Sequence, residues 1–227
     1  MKHLFLIIFC LLLTGCGALP EETVETTLPT ESAVTQATEA PTEENARKIL
    51  PLPDTTMEEV NNAILSVSLE EGDAYVDDTG KMQMDLTIYS YDRYDMVDIA
   101  SLAVGDIIVT HDGEVEIASL ERGETGTVYI NGGFDNDGLD LTTDEGGVYF
   151  QRGFSDHKIW YEAGEVTLRV STDLQFYDNA DLEQGEVIFY SGSFLVGEVT
   201  NYDFTPYNTT VRVEDGQIME MIRRYIP

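Results

Sequence analysis

The chain has 227 residues, of which 42% are hydrophobic and 10% aromatic, and its formal net charge is −31 at pH 7. That apolar and aromatic content is too high for a chain that is disordered throughout. The strong negative charge argues against a nucleic acid or an anionic lipid headgroup as partner, because like charges repel. It is compatible with cations, with basic peptides, or with solubility alone.

The first 15 residues have the layout of an export signal. Lys2 precedes an apolar run from Leu4 to Leu13, which is too short for a membrane-spanning helix of roughly 20 residues and suits a secretory signal. The run ends in Leu13-Thr14-Gly15-Cys16, which resembles the lipobox of bacterial lipoproteins. The resemblance implies cleavage before Cys16, acylation of its thiolate with chains such as palmitate, and anchoring at the extracytoplasmic face of the cell membrane.

Cysteine usage narrows the chemistry of the remaining chain. The other cysteine, Cys10, lies inside the signal and leaves with it. The processed chain therefore keeps one cysteine, which is acylated. The sequence predicts no disulfide, although the compartment would permit one, and no cysteine-based metal site or nucleophile.

A change of composition follows the lipobox. Thr, Glu, Ala and Pro dominate from Gly17 to about Leu50, with seven Glu and no Lys or Arg between Gly17 and Ala46. Such a segment cannot bury enough surface to offset chain entropy. We therefore predict a lipidated N-terminus and disordered stalk over 16–50, followed by an acidic β-rich domain over 51–227. Lipobox, stalk and acidic β-domain together look like lipoproteins of Gram-positive anaerobes.

The dominant pattern beyond the stalk is apolar alternation with period two, which predicts β-strands. Ala63, Leu65, Val67 and Leu69 share one face of such a strand. Glu214-Asp215-Gly216 separates two alternating runs and predicts a hairpin. Similar runs cover 82–88, 115–119 and 166–170. Short strands between frequent turn signals predict an all-β fold, mainly an antiparallel barrel or sandwich.

Helix signals are sparse. Thr56 and Glu59 fit a capping box, which predicts one short helix near the start of the domain, and 97–102 could hold a single turn. Residues 100–108 resemble residues 180–188, which predicts a positive φ at Gly105 and at Gly185, each just before a strand. A duplicated half-domain and convergence on a common turn both stay open.

Histidine and aspartate supply few candidates for catalysis, and the catalytic residues stay unknown. His111 and His157 each lie beside an acid in turn-like sequence, and Ser155 could complete a triad, but no nucleophile elbow supports one. We predict surface histidines.

Calcium is the only metal the sequence favours. Asp135, Asp137 and Asp140 place three carboxylates around Gly138, and calcium prefers oxygen ligands. An ordinary turn explains the same residues. No other cofactor is expected.

Aromatic residues beside acids supply the ligand-binding candidates: Tyr89, Tyr91, Trp160 and Tyr161. Such rings could stack on a sugar or receive a basic peptide, although strands also favour tyrosine. We expect a tethered, non-enzymatic module that binds a protein or carbohydrate. The alternative is a carboxylate-based hydrolase of cell-wall or polysaccharide substrate, with two acids converging in a groove lined by Trp160 and tyrosines.

Overall fold

The computed structural model describes residues 46–53, 60–181, 183, 185–190, 192–196 and 203–226. These residues are mostly strand with very little helix, which confirms the all-β prediction. The predicted signal, Cys16 and the capping box at Thr56–Glu59 lie outside the described residues. None of the helices in the described ranges has the length and apolar character needed to cross a membrane.

The described part contains fifteen strands and one α-helix. In chain order they are β1 (Lys48–Ile49), β2 (Ile64–Ser68), β3 (Ala74–Val76), β4 (Met82–Ser90), β5 (Arg93–Tyr94), α1 (Met96–Ala100), β6 (Ile107–Thr110), β7 (Gly113–Glu116), β8 (Leu120–Arg122), β9 (Val128–Ile130), β10 (Leu139–Thr143), β11 (Tyr149–Arg152), β12 (Tyr161–Asn179), β13 (Val187–Tyr190), β14 (Thr209–Glu214) and β15 (Gln217–Arg224).

Five of these strands close into a barrel. β2 pairs antiparallel with β4 and with β14, β4 pairs antiparallel with β12, β12 runs parallel to β15, and β15 pairs antiparallel with β14. The spatial order β14-β2-β4-β12 is a Greek key, as in small five-stranded barrels such as the OB fold. Within the ring no strand edge is left unpaired, which removes the usual hazard of sheet edges.

Strand β12 makes the closure possible, because it serves two partners in succession. Residues 161–169 pair with β4, and residues 169–179 pair with β15, with a register shift between Val170 and Gln175. A shift of this kind bends a strand and increases its twist. β13 extends the sheet beside the second half of β12, and β3 extends it beside β4.

Alternating side chains fill the barrel. On β2, Leu65 and Val67 have no exposed surface, whereas Ile64 is 72% exposed. The predicted period of two is therefore confirmed in this strand. The predicted hairpin is also present, because β14 and β15 flank Asp215 and Gly216, which both have positive φ.

A second lobe is inserted between β4 and β12. It contains a five-stranded antiparallel sheet in the order β5-β11-β10-β9-β8 and a three-stranded sheet in the order β1-β6-β7. These sheets enclose a hydrophobic core separate from that of the barrel. The ten buried residues of this second core are Ile49, Tyr94, Ile99, Leu102, Ile108, Ile117, Val128, Ile130, Leu139 and Leu141.

The domain begins earlier than the sequence predicted. β1 lies inside the stalk predicted over 16–50, and it runs parallel to β6 with Ile49 opposite Ile108. Ile49 is 4% exposed and belongs to the second core. The prediction placed the boundary too late because it relied on the average composition of about thirty residues. Such an average does not reveal a single buried apolar side chain, here Ile49, at the end of the segment.

The two similar turns have the expected backbone. Gly105 has φ 92° and Gly185 has φ 71°, and strands β6 and β13 begin two residues after each glycine. β6 pairs with β1 and β7, whereas β13 pairs with β12 in the barrel sheet. The likeness between the two segments is therefore confined to the turn.

Asp77 holds together the turn between β3 and β4. Its carboxylate accepts hydrogen bonds from the Thr79 hydroxyl at 2.7 Å, the Thr79 backbone N–H at 2.8 Å, the Lys81 backbone N–H at 3.0 Å and the Gln83 amide at 2.8 Å. These bonds, the Thr79 hydroxyl first, hold the pKa of Asp77 well below its ordinary value, because they stabilise the charged form.

This lowered pKa predicts a pH-dependent contribution to stability. A carboxylate with a depressed folded-state pKa stabilises the fold above its unfolded-state pKa of about 3.9, and that contribution is lost as the pH falls through the folded-state pKa. We expect Asp77→Asn to lower the urea midpoint at neutral pH, by an amount that shrinks below about pH 4. Asp78→Asn is the matched control. A deficit that stays constant into acid would contradict the prediction.

Candidate functional site

Three large aromatic side chains are exposed around one groove of the described surface. Phe154 is 82% exposed, Tyr207 50% and Phe134 42%. All three line a groove of about 380 Å³, together with His157 and Ile159. We call Phe134, Phe154 and Tyr207 the aromatic face. Exposed aromatic groups that share a concave surface are typical of binding sites.

A tight turn between β9 and β10 presents Phe134. Gly133 has φ 78° and Asp137 has φ 60°, which is left-handed backbone at both ends of one 3₁₀ turn. The Phe134 N–H donates to Asp140 Oδ1 at 2.9 Å. This bond ties the base of the turn to β10, so Phe134 stands on fixed backbone.

A second turn, directly after β11, presents Phe154. Ser155 has φ 53° and Asp156 has φ 64°, and positive φ at two successive non-glycine residues is uncommon and costly. The Gly153 N–H donates to the His157 carbonyl at 2.7 Å and closes the turn. Such a backbone persists only where its surroundings hold it.

Arg152 couples the two turns. Its guanidinium donates to Asp140 at 2.9 Å and to Asp156 at 2.9 Å, so one side chain connects the base of the Phe134 turn to the Phe154 turn. The hydrogen bond to Asp140 raises the pKa of Arg152. Arg152 and Asp140 are 25% and 13% exposed, and charge-assisted bonds of this kind are among the stronger ones.

The coupling predicts the effect of removing the guanidinium. We expect Arg152→Met to lower the free energy of unfolding by about 1–3 kcal/mol, because Asp140 loses a charged partner in a half-buried place. Hydrogen exchange in both turns should accelerate. Arg224→Met is the control, since Arg224 is exposed and its one described side-chain hydrogen bond, to Thr210, is 3.5 Å long. Equal effects of the two variants would count against a coupling role.

Tyr207 reaches the groove from the segment before β14. Asn208 is buried, and its side-chain amide accepts from the Thr205 N–H at 2.9 Å and donates to the Asp203 carbonyl at 2.8 Å. The Tyr207 ring meets His157 edge-on at 5.7 Å. The aromatic face thus joins the second lobe to the barrel.

Two predicted ligand-binding residues, Tyr91 and Trp160, contact Lys158, which lines this groove. Their rings contact each other edge-on at 5.1 Å. The Lys158 ammonium lies 3.8 Å from the Tyr91 ring centre and 5.8 Å from that of Trp160, which is cation–π geometry. These rings hold a cation of the chain itself, and Lys158 also lines the groove.

The other two predicted aromatic residues have different described partners. Tyr89, on β4, accepts a hydrogen bond from the Ser68 hydroxyl at 3.2 Å. Tyr161 stacks on His111 at 4.5 Å and 22°. Of the four predicted residues Tyr89, Tyr91, Trp160 and Tyr161, the described ring contacts join Tyr91 with Trp160.

His111 belongs to a polar cluster beside the start of β12. Asp92 is 2% exposed; it accepts the His111 backbone N–H at 2.8 Å and pairs with His111 Nδ1 at 3.1 Å. The His111 side chain is only 20% exposed, and its other ring nitrogen lies 3.2 Å from Asp112. Burial, with the nearby charge of Asp92, raises the pKa of Tyr94. The expected surface histidine is instead a packed one.

The histidine triad considered from the sequence does not assemble. His157 packs against Tyr207, and within the described ranges no hydrogen bond joins it to Ser155. Ser155 instead lies in the strained turn that carries Phe154.

The calcium prediction has no support from the side-chain arrangement. Asp140 already accepts from the Phe134 N–H and from Arg152, while Asp135 and Asp137 are exposed. The described residues include no group of three acidic, histidine or cysteine side chains that could hold a metal ion. The aspartates instead form the turn.

Sequence reasoning missed the aromatic face, although a signal for it existed. Phe134 follows Gly132-Gly133 and precedes Asp135, and Phe154 stands between Gly153 and Ser155. A phenylalanine within turn-forming sequence cannot join a strand's buried face, so its exposure could have been expected. Comparison of the chain with protein-family models, with curated proteins and with solved structures gave no match.

Proposed function

We propose that this protein is a membrane-anchored extracytoplasmic lipoprotein whose β-rich domain binds a protein or carbohydrate ligand through the aromatic face. The observation that carries the proposal is the exposure of Phe134, Phe154 and Tyr207 around one groove. Burying such rings against a partner releases water from a large apolar surface. Aromatic residues are enriched where proteins make specific contacts.

The backbone beneath these rings favours binding. Arg152 ties the two turns together through Asp140 and Asp156, so little chain entropy is lost when a ligand docks. Exposed carboxylates of Asp135 and Asp156 border the rings and would accept hydrogen bonds from sugar hydroxyls or attract basic groups. Both ligand classes predicted from the sequence fit this chemistry.

The chain's single tryptophan provides the test of ligand binding. Trp160 lies beside Lys158, which lines the groove, so occupancy should alter its fluorescence. We expect a saturable change on titration with soluble cell-wall oligosaccharides or with a lysine-rich peptide. Phe134→Ala combined with Phe154→Ala should abolish it without changing the melting temperature.

The matched control is Val97→Ala, which removes an apolar side chain that is 77% exposed on α1. This variant should bind like the wild type. Equal losses in the control and in the double variant would refute the aromatic face as the binding surface. An unchanged titration of the double variant would do the same.

The anchor requires its own test. Cys16→Ser removes the sulfur that would carry the lipid, so the variant should leave the membrane fraction and the detergent phase and lose incorporation of labelled palmitate. The wild type should retain all three. Membrane association that survives the substitution unchanged would refute lipid anchoring through Cys16 and leave the binding test intact.

A second candidate, the carboxylate hydrolase, is favoured by another groove. About 460 Å³ in volume, it is lined by Asp85 on β4, by Glu165 on β12 and by Asp73 just before β3. Asp85 lies opposite Thr167 and Glu165 opposite Thr87, so the two acids are diagonal neighbours on one face. Trp160 does not line this groove. Release of reducing sugar from polysaccharide that Glu165→Gln and Asp85→Asn both abolish would favour the hydrolase.

A further inference from the structure

A third concave site lies at one end of the barrel, away from the aromatic face. The turn between β3 and β4, the bend of β12 and residues 192–196 enclose a pocket of about 470 Å³. Four apolar side chains form much of its wall: Val76, Met82, Val170 and Val196. Val76 is 56% exposed and Val196 40%, so the wall is open to a ligand.

The charge of this pocket opposes that of the molecule. The chain has 43 acidic and 12 basic residues, yet two of the basic residues, Lys81 and Arg169, line the pocket, and its described lining includes no carboxylate. In a protein this acidic, a pocket whose described charged residues are both cations concentrates anions against the overall field.

Arg169 has no partner within the described residues. The chain has eight arginines, and each of the other seven donates a hydrogen bond to a carbonyl, a hydroxyl or a carboxylate. The Nε of Arg169 is buried without a hydrogen-bond partner. A half-buried guanidinium that lacks a counter-charge is costly.

Lys81 is similarly available. No described carboxylate pairs with its ammonium. The turn has two acids, of which Asp77 directs its carboxylate to Thr79, to Gln83 and to the Lys81 backbone N–H, and no described ion pair joins Asp78 to Lys81. Among the described residues, the Lys81 side chain therefore lines the pocket without a carboxylate partner.

We propose that this pocket binds a small amphipathic organic anion. Its carboxylate or phosphoryl group pairs with Arg169 and Lys81, and its aliphatic part lies against Val76, Met82 and Val170. The guanidinium fork matches the two oxygens of such a group. The volume lies in the range of small-molecule sites. Two cations that have no partner among the described side chains, beside an apolar wall, match an oxyanion attached to a hydrocarbon body.

Stability measurements separate a ligand site from a structural role. A charge with a structural partner destabilises the fold when it is removed, whereas removal of an unpaired, half-buried charge is neutral or stabilising. Without ligand, Arg169→Met should therefore melt at the wild-type temperature or above it. Lys48→Met is the control, because it removes one positive charge outside the pocket, from a lysine paired with Glu114.

The binding test is calorimetric titration of the full chain with four probes. Octanoate and octyl phosphate supply both the anion and the hydrocarbon, inorganic phosphate supplies the anion alone, and octanol the hydrocarbon alone. We expect at least one amphipathic anion to bind, and octanol and inorganic phosphate to bind at least about tenfold more weakly. The amphipathic anion with the higher affinity shows whether the pocket prefers a carboxylate or a phosphate headgroup.

Three variants test whether the preferred anion binds in this pocket. Arg169→Met should weaken binding of the preferred anion at least about tenfold, Lys81→Met should weaken it less, and Lys48→Met should leave it unchanged. Binding should fall as salt rises. Absence of binding by both amphipathic anions would overturn the proposal, and so would binding unaffected by Arg169→Met. If Arg169→Met fails to fold, the proposal is also overturned, because its guanidinium then has a structural role.

Discussion

Replacing Leu65 with alanine should lower the free energy of unfolding by about 2–5 kcal/mol, whereas replacing Ile64 should change it by no more than about 0.5 kcal/mol. The two residues are neighbours on β2, yet Leu65 has no exposed surface and Ile64 is 72% exposed. The comparison isolates burial, since sequence position, strand and side-chain size are nearly the same.

The large cost at Leu65 follows from barrel closure. β2 is hydrogen-bonded on both sides, to β14 and to β4, so the backbone cannot easily move inward to fill the space that a smaller side chain leaves. The loss therefore combines the transfer of the missing methyl groups with a cavity that relaxes only partly. At Ile64 the removed atoms are exposed to solvent, so their loss creates no cavity in the core.

Urea unfolding measures both variants, followed by far-UV circular dichroism and by Trp160 fluorescence. Two probes are needed because the chain has two hydrophobic cores, and coincident transitions justify a single free energy. The ratio of the two effects tests the register of β2. A cost at Ile64 equal to that at Leu65 would mean that the strand does not present alternate residues to the barrel interior.

Alternation predicted which side chains face inward but not which strands pair. Leu65 and Leu168 lie in runs predicted from the sequence and are buried as expected. The closure depends on β12, whose first half pairs with β4 and whose second half pairs with β15. The apolar period of β12 does not indicate that it pairs with a strand some eighty residues earlier and with another fifty residues later. Strand pairing is set by the geometry of the whole sheet.

The candidate sites were harder to predict than the fold. The aromatic face consists of Phe134, Phe154 and Tyr207, and the pocket at the end of the barrel is lined by both Lys81 and Arg169. Their proximity depends on tertiary pairing that no local pattern encodes. The sequence predictions instead selected residues by local composition, such as Trp160 beside Tyr161, and these adjacent side chains make different contacts.

The second large effect on folding stability is expected from a substitution at Gly138. We expect Gly138→Ala to lower the free energy of unfolding by about 3 kcal/mol, because a Cβ on this residue would overlap the Ile130 carbonyl oxygen and lie 2.9 Å from that of Asn131. Both obstacles are backbone, so no side-chain rotation relieves the overlap. The sequence predicted a glycine suited to a turn, but the reason for it is close approach of two chain segments.

Gly126→Ala is the matched control in the same lobe. Gly126 has φ 86° and open space around its Cβ position, so alanine there meets only the strain of left-handed backbone, about 1–2 kcal/mol. Urea unfolding should rank Gly138→Ala as the more harmful change. The reverse order would mean that the Phe134 turn yields easily, and that it does not present its ring on a fixed support.

The same substitution links the fold to the proposed binding. The Gly138 N–H donates to the Gly133 carbonyl, so displacing Gly138 moves the backbone that carries Phe134 and the strand that carries Asp140. The ligand-induced change in Trp160 fluorescence should therefore weaken in Gly138→Ala under conditions where the variant remains folded, and persist in Gly126→Ala. A destabilised variant that binds normally would show that the aromatic face does not depend on the geometry of this turn.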